Sequence, residues 1–197
     1  MTSRGFRIDW RTSVGHLAAL EPSAREVEQH AAALAAGYND PRNAPLMGHD
    51  EPITEADVVE LYADAAAEGT RSFLLFRDDL LVGDGDLRHV RDGGAEFAFM
   101  IAATAVQGQG LGTRFAVMIH AFGFAQLGLR EIYASVVPAN VASRRVFEKM
   151  GHVEDGSARA RAYADEPGDL VMAIDRATFE RGHAAALAEL RIAERDA

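Results

Sequence analysis

Residues 105–114, AVQGQGLGTR, set Gly108, Gly110 and Gly112 between an apolar run and a long amphipathic one. Three kinds of chemistry use this much glycine at such a junction. A phosphate loop of the form GxxxxGK is excluded, because no Gly-Lys pair occurs in the chain. A dinucleotide fingerprint GxGxxG would use Gly108 and Gly110, but Thr113 occupies the third glycine position. It also requires an acid near the end of the next strand to hold a ribose, and that strand ends in Val136-Val137-Pro138. The third reading is backbone geometry. A glycine turn that opens a helix presents N–H groups without intrahelical partners at the positive end of the helix dipole, which suits an anion such as a pyrophosphate. Glycine serves there because a Cβ would hold the phosphate away from the amides. A flexible helix start with no ligand uses the same glycines, so residues downstream must decide.

Metal and thiol chemistry find no support. The seven histidines show no metal-ligand spacing, and the absence of cysteine excludes a disulfide, a thiolate site and a cysteine nucleophile. No metal is expected. His120 falls near the apolar stripe of a helix and reads as a packed core histidine.

The elements that must position the glycine turn fit one domain of 197 residues, 48% hydrophobic and 25% charged. Net charge is −10, and the only lysine is Lys149. That balance argues against a non-specific nucleic-acid binder, which needs excess cations. It is compatible with a cationic substrate, and equally with an acidic surface kept for solubility. The first residues, MTSRGFRIDWRTS, contain no apolar run of signal-peptide length, and no later run reaches the length of a membrane span. A cytoplasmic protein, with no membrane or nucleic-acid partner, is expected.

Residues 6–20 read as an extended segment turning at Val14-Gly15. Ser23 and Glu26 have the spacing of a capping box, opening a helix to Gly37. Residues 39–52, with Pro41, Pro45 and Pro52, read as a loop, and Thr54 opens a second helix. RSFLLFRDD, LLVGDGDLRHV and AEFAFMIAA are then three antiparallel strands, separated by Asp-Asp and Asp-Gly-Gly turns. Leu111, Phe115, Met118, Ile119 and Phe122 share one face of the following helix, with Gly128 at its end. A strand REIYASVV, a short helix from Asn140 to Gly151, strands in HVEDG and DLVMAIDR, and a terminal helix over 176–197 complete the chain. The order predicts an α/β protein, a mixed layer on one central sheet.

Two motifs carry a family resemblance. Gln107-x-x-Gly110-x-Gly112 resembles the (Gln/Arg)-x-x-Gly-x-(Gly/Ala) signature of the GNAT superfamily of N-acetyltransferases, and PANVASRRVFEKMGHVEDG resembles their later motif through Asn140, Ser143, Val146, Phe147, Lys149 and Gly151. The resemblance covers residues 72–155, and its Asn-x-x-Ser and Lys-x-Gly pattern is most similar to the subgroup that includes the ribosomal-protein N-terminal acetyltransferases. It implies the GNAT fold, with a mostly antiparallel sheet splayed at the cofactor site. It also implies one acyltransferase domain: substrate-side elements over 1–70, a cofactor-binding core over 71–155, and a last strand and helix over 156–197. A homodimer is compatible with it.

The resemblance implies direct transfer of an acetyl group from acetyl-CoA to a primary amine, on a small molecule or a protein N-terminus. The amides of Gly108, Gln109, Gly110, Leu111, Gly112 and Thr113, beside Gln107, would hold the pyrophosphate. Pantetheine would lie in the gap of the splay against the backbone of Ile101 and Ala102, where an N–H could serve as oxyanion donor, with Asn140 and Phe147 nearby. Glu96 is the expected general base, because the stretch around it resembles strands that carry a catalytic glutamate in some members; a glutamate on the polar side of a strand is the alternative. Phe147 departs from the family, since members with a tyrosine general acid usually carry it here and a phenyl ring donates no proton. Ser143 or water would then protonate the thiolate. Tyr133 and Tyr163 are expected to be structural or to face substrate, and the loop acids Asp40, Asp50 and Glu51 to attract an ammonium or merely to be solvated. The missing tyrosine also allows a second function class, a non-catalytic acyl-CoA-binding module.

Overall fold

The computed structural model describes residues 5–46, 51–102 and 108–195. Strands β1 (Gly5–Thr12) and β2 (Gly15–Leu20) form the N-terminal hairpin, followed by helices α1 (Ala24–Tyr38) and α2 (Glu55–Ala67). Ser23 accepts from the Glu26 N–H while Glu26 accepts from Ser23, the expected capping box, and Thr54 with Asp57 repeats it at α2. Strands β3 (Arg71–Arg77), β4 (Leu80–Arg91) and β5 (Gly94–Ile101) form the meander. Its turns carry positive φ at Asp78 and Asp79, then at Asp92 and Gly93, the backbone of tight hairpins that match strand twist.

Helix α3 (Leu111–Gln126), strand β6 (Glu131–Val136), helix α4 (Val141–Met150), the two-residue strand β7 (Val153–Glu154), helix α5 (Ala158–Arg161) and strand β8 (Leu170–Asp175) follow. The chain ends in helices α6 (Arg176–Gly182) and α7 (Ala184–Glu189) and strand β9 (Arg191–Arg195). Among the described residues the strands form one sheet, ordered β7-β8-β6-β5-β4-β3-β2-β1-β9. Among the described strands only β5 and β6 run parallel.

Residues 176–197 therefore do not make the expected single helix. Helical propensity breaks at His183, and RIAER pairs with the sheet edge, setting Ile192 opposite Ile8. Arg195 reaches back to Glu26 and to the Glu21 carbonyl. An unpaired edge strand gains more from this pairing than the segment gains from staying helical. The helix α5 was not legible in sequence.

The two sheet faces differ. One packs against α3 through Phe73, Leu75, Leu87, Phe97, Phe115 and Phe122. α3 is more than amphipathic, with Ala116, Val117, His120 and Phe124 buried besides the predicted stripe. The other face holds a smaller cluster in which Leu20, Leu74 and Met100 meet Leu34 and Tyr38 of α1 and Val58 of α2. Beyond that cluster the same face opens into a cavity.

Candidate active site

The site begins where two strands part. β5 and β6 pair only at Gly94–Glu131, Ala95–Ile132 and Glu96–Tyr133, although β5 continues to Ile101 and β6 to Val136. Past Glu96 the sheet is split. The Ala102 N–H donates to the Val82 carbonyl at 2.9 Å, so Ala102 turns its donor toward β4. By the alternation of an antiparallel ladder, Phe99 and Ile101 then turn their backbone toward the split. Of these, Phe99 lines the cavity, whereas the Ile101 carbonyl accepts from Asn43 Nδ2 at 3.4 Å and the expected Ala102 amide faces β4.

A cavity of about 720 Å³ runs through the split and takes lining from both faces. On the α4 side lie Asn140, Ser143, Phe147, Phe97 and Phe99, and on the α2 side Tyr62, Asp84, Asp86 and Arg88. Asn140 caps α4, its Oδ1 accepting from the Ser143 N–H at 3.0 Å. This fixes the start of α4 and sets the Ser143 side chain at the cavity wall. Phe147 is buried, its ring 5.9 Å from Phe99 and 5.0 Å from His152.

The glycine turn adjoins the split. Gln107 lies outside the described residues. Gly108 and Gly110 have positive φ, and Gly110 is the left-handed N-cap of α3, with no side chain capping the first turn. The first helical bond runs from the Arg114 N–H to the Gly110 carbonyl at 3.1 Å. A Cβ at Gly108 would meet nothing within 4 Å, whereas one at Gly112 would stand 2.9 Å from the Phe99 ring, so Gly112 lets α3 lie close on β5. Leu111 is buried beneath the turn, and Thr113 is half-buried. Two guanidinium groups add positive charge: Arg77 donates to Gln109 Oε1 at 2.6 Å, and Arg114 to the Gln109 and Gly110 carbonyls at 3.2 Å.

The acids sit on the other face. Asp84 is 6% exposed; its Oδ2 accepts from the phenols of Tyr38 and Tyr62, while Oδ1 has no partner. Burial raises its pKa to about 6 against those hydrogen bonds. Asp86, its side chain 29% exposed, also keeps Oδ1 without a hydrogen bond, and the Arg88 Nε stands 4.0 Å away. Burial pushes Asp86 up to about 7, with Arg88 opposing. Glu96 is wholly buried and does not line the cavity. It accepts two bonds from Arg88, at 3.1 and 3.0 Å, and His89 Nδ1 lies 3.2 Å off.

A family profile described as Acetyltransferase (GNAT) domain matches residues 24–153. The chain belongs to this family. Probable N-acetyltransferase YjcK of Bacillus subtilis (strain 168) is 34% identical over 84 residues, which are 42% of this chain and 46% of that protein. The match thus spans about half of that relative. Mycobacterium smegmatis RimJ in complex with CoA-disulfide has a TM-score of 0.72 at 19% identity, over 94% of this chain and 96% of that one. Aminoglycoside acetyltransferase AAC(6')-Ib in complex with coenzyme A has 0.67 at 22% identity, over 78% and 94%. These two likenesses are of fold.

The GNAT residues in this chain fit coenzyme A. An uncapped first turn with open space at Gly108 and two guanidinium groups suits a pyrophosphate. A strand edge turned into a split suits the amides of pantetheine. Among the described residues no group of three or more His, Asp or Glu could hold a metal. No described helix is long and apolar enough to cross a membrane.

Other expected residues prove structural. His120 is fully buried, with Nδ1 at 2.8 Å from the Ala116 carbonyl and Nε2 at 3.3 Å from His152 Nε2. Burial holds both imidazoles neutral, lowering His152 to about 3. Tyr133 and Tyr163 stack at 4.3 Å, and the Tyr163 hydroxyl donates to the Arg91 carbonyl. Asp84 and Asp86 were missed in sequence. The available signal was Asp84-x-Asp86-x-Arg88 in a strand, a spacing that puts all three on one face.

Proposed function

We propose that the protein is an acetyl-CoA-dependent N-acetyltransferase acting on a primary amine by direct attack. The observation that carries this reading is the split between β5 and β6, which lets one cavity reach Ser143 on one face and Asp86 on the other. The coenzyme supplies the acyl group as an activated thioester. The amine arrives from the α2 side, and Asp86 accepts its proton. A pKa near 7 suits a base that must be ionised in use yet still hold a proton. Nitrogen bonds the carbonyl carbon while the backbone N–H of Phe99, turned toward the split, donates to the carbonyl oxygen. The carbon–sulfur bond breaks, and the Ser143 hydroxyl, or water it orients, protonates the departing sulfur. Solvent in the open cavity returns a proton to that donor and takes the amine's proton from Asp86.

Glu96, expected as the base, has a positioning role in this reading. Its two bonds hold the Arg88 guanidinium, which in turn sets the field at Asp86. The test is release of free coenzyme A from acetyl-CoA over a panel of primary amines. Amine-dependent release is expected. Tight coenzyme A binding without turnover on any amine would instead establish the acyl-CoA-binding module that Phe147 allows.

A further inference from the structure

The cavity carries more acid than one amine needs. Its lining includes Asp64, Glu68, Asp84, Asp86, Asp165 and Asp169, against one guanidinium and one imidazole. That guanidinium, Arg88, is already bound to Glu96 and to Asp165. Asp84 receives only uncharged phenols and leaves a buried oxygen without a partner. Asp86 likewise keeps one carboxylate oxygen unbonded. On the facing wall, α2 turns Leu61, Asp64 and Ala65 to the cavity, with its C-cap Glu68, and Asp64 and Glu68 pair with no cation among the described residues. Leu61 is 50% exposed there, and Ile53 and Val137 add further apolar lining.

Asp84 is buried and Asp86 and Asp169 are half-buried, while Asp64, Glu68 and Asp165 are exposed at the cavity mouth. A buried carboxylate is costly without countercharge, and the exposed acids around it strengthen a negative field that a polycation would relieve. A protein N-terminus with neutral neighbours brings one ammonium. Resting on the acetyltransferase reading, we propose that the acceptor is a compact aliphatic polyamine. One amino group is delivered to the split beside Asp86, and at least one further ammonium is held by Asp64 and Glu68. Methylene spacers suit the apolar lining that Ile53, Leu61 and Val137 contribute to the same cavity.

The test compares putrescine and spermidine with butylamine, which lacks the second ammonium at equal length, and with a short neutral peptide bearing a free N-terminus. The readout is kcat/KM for coenzyme A release by the full chain, alongside calorimetric binding of spermidine. Putrescine should exceed butylamine by roughly tenfold or more, the scale of electrostatic concentration in an acidic cleft. That ratio should fall toward one in the Asp64→Asn/Glu68→Gln double variant and with added salt. Equal rates for putrescine and butylamine, or a preference for the peptide, would overturn the proposal. Should no amine release coenzyme A, the acetyltransferase reading fails and calorimetry decides this one separately. Spermidine binding weakened about fivefold or more in the double variant supports it, and binding absent or unchanged refutes it.

Discussion

Asp86→Asn keeps the shape of the side chain and removes its proton-accepting capacity. Loss of a general base lowers kcat by roughly 10²–10⁴, about 3–5 kcal/mol in the barrier. The parent rate should also carry an ionisation near pH 7, where Asp86 titrates. Acceptor amines lose their protons as pH rises too, so the diagnostic quantity is the ratio of parent to variant. That ratio should grow from pH 6 to pH 8 and then level off. Stability should move the opposite way. Burial raises Asp86 from 3.8 to about 7, so the ionised group burdens the fold above pH 7, and the burden is gone once pH falls below 3.8. The shift sets an upper bound of ~4 kcal/mol, which solvent at the partly exposed side chain reduces. Asp86→Asn should therefore melt a few degrees higher at pH 8, with the gain shrinking toward pH 4. Thiol-release kinetics over the pH series and thermal melts of both proteins check this. A loss in kcat below threefold at every pH would refute Asp86 as the base.

Three further perturbations separate the other parts. Gly110→Asp puts a carboxylate at the uncapped turn, where two unit charges about 4 Å apart repel by roughly 4 kcal/mol at an effective dielectric of 20. Coenzyme A affinity by calorimetry should fall a hundredfold or more, and unchanged affinity would end the anion-cradle reading. Because Gly110 is left-handed with Arg114 Nη1 2.7 Å from an added Cβ, Gly110→Asn serves as the control that carries the same strain without the charge. Glu96→Gln should lower kcat less than Asp86→Asn does and leave the pH dependence of that ratio in place; a loss of 10² or more with the dependence abolished would return the base to Glu96. Ser143→Ala should lower kcat with little change in coenzyme A affinity. Phe147→Tyr should restore part of the rate in that background and add little alone, whereas a Ser143→Ala protein that turns over like the parent would assign protonation to water.

What was legible in sequence was local. Ser23 with Glu26, the Asp-Asp turn and the glycine at 110 each act on neighbours within a few residues, and each sits where its chemistry predicts. The family resemblance supplied the split, which no residue type announces. The terminal segment failed because Ile192 answers to Ile8, far away in sequence, and not to its own helical pattern. Glu96 is buried for the same kind of reason: β4 sets Arg88 directly opposite it in register. Asp84 was obscured because its partners, Tyr38 and Tyr62, come from two helices distant in sequence, which no pattern around residue 84 announces.

The stretch Gly83-Asp84-Gly85-Asp86-Leu87 then takes on a meaning in three dimensions. In a strand, alternate residues face opposite sides. Leu87 faces α3, and a Cβ at Gly85 would stand 2.9 Å from the Phe115 ring on that same face. Glycine is needed there for close approach and not for turning, since the helix lies almost on the backbone. Asp84 and Asp86 point the other way, into the cavity. The expected strand is thus pressed from behind by an aromatic core. That pressure fixes the backbone from which both carboxylates project. A base on this strand needs no loop to carry it to the amine. The packing that builds the core of the domain also places the carboxylate proposed to accept the proton.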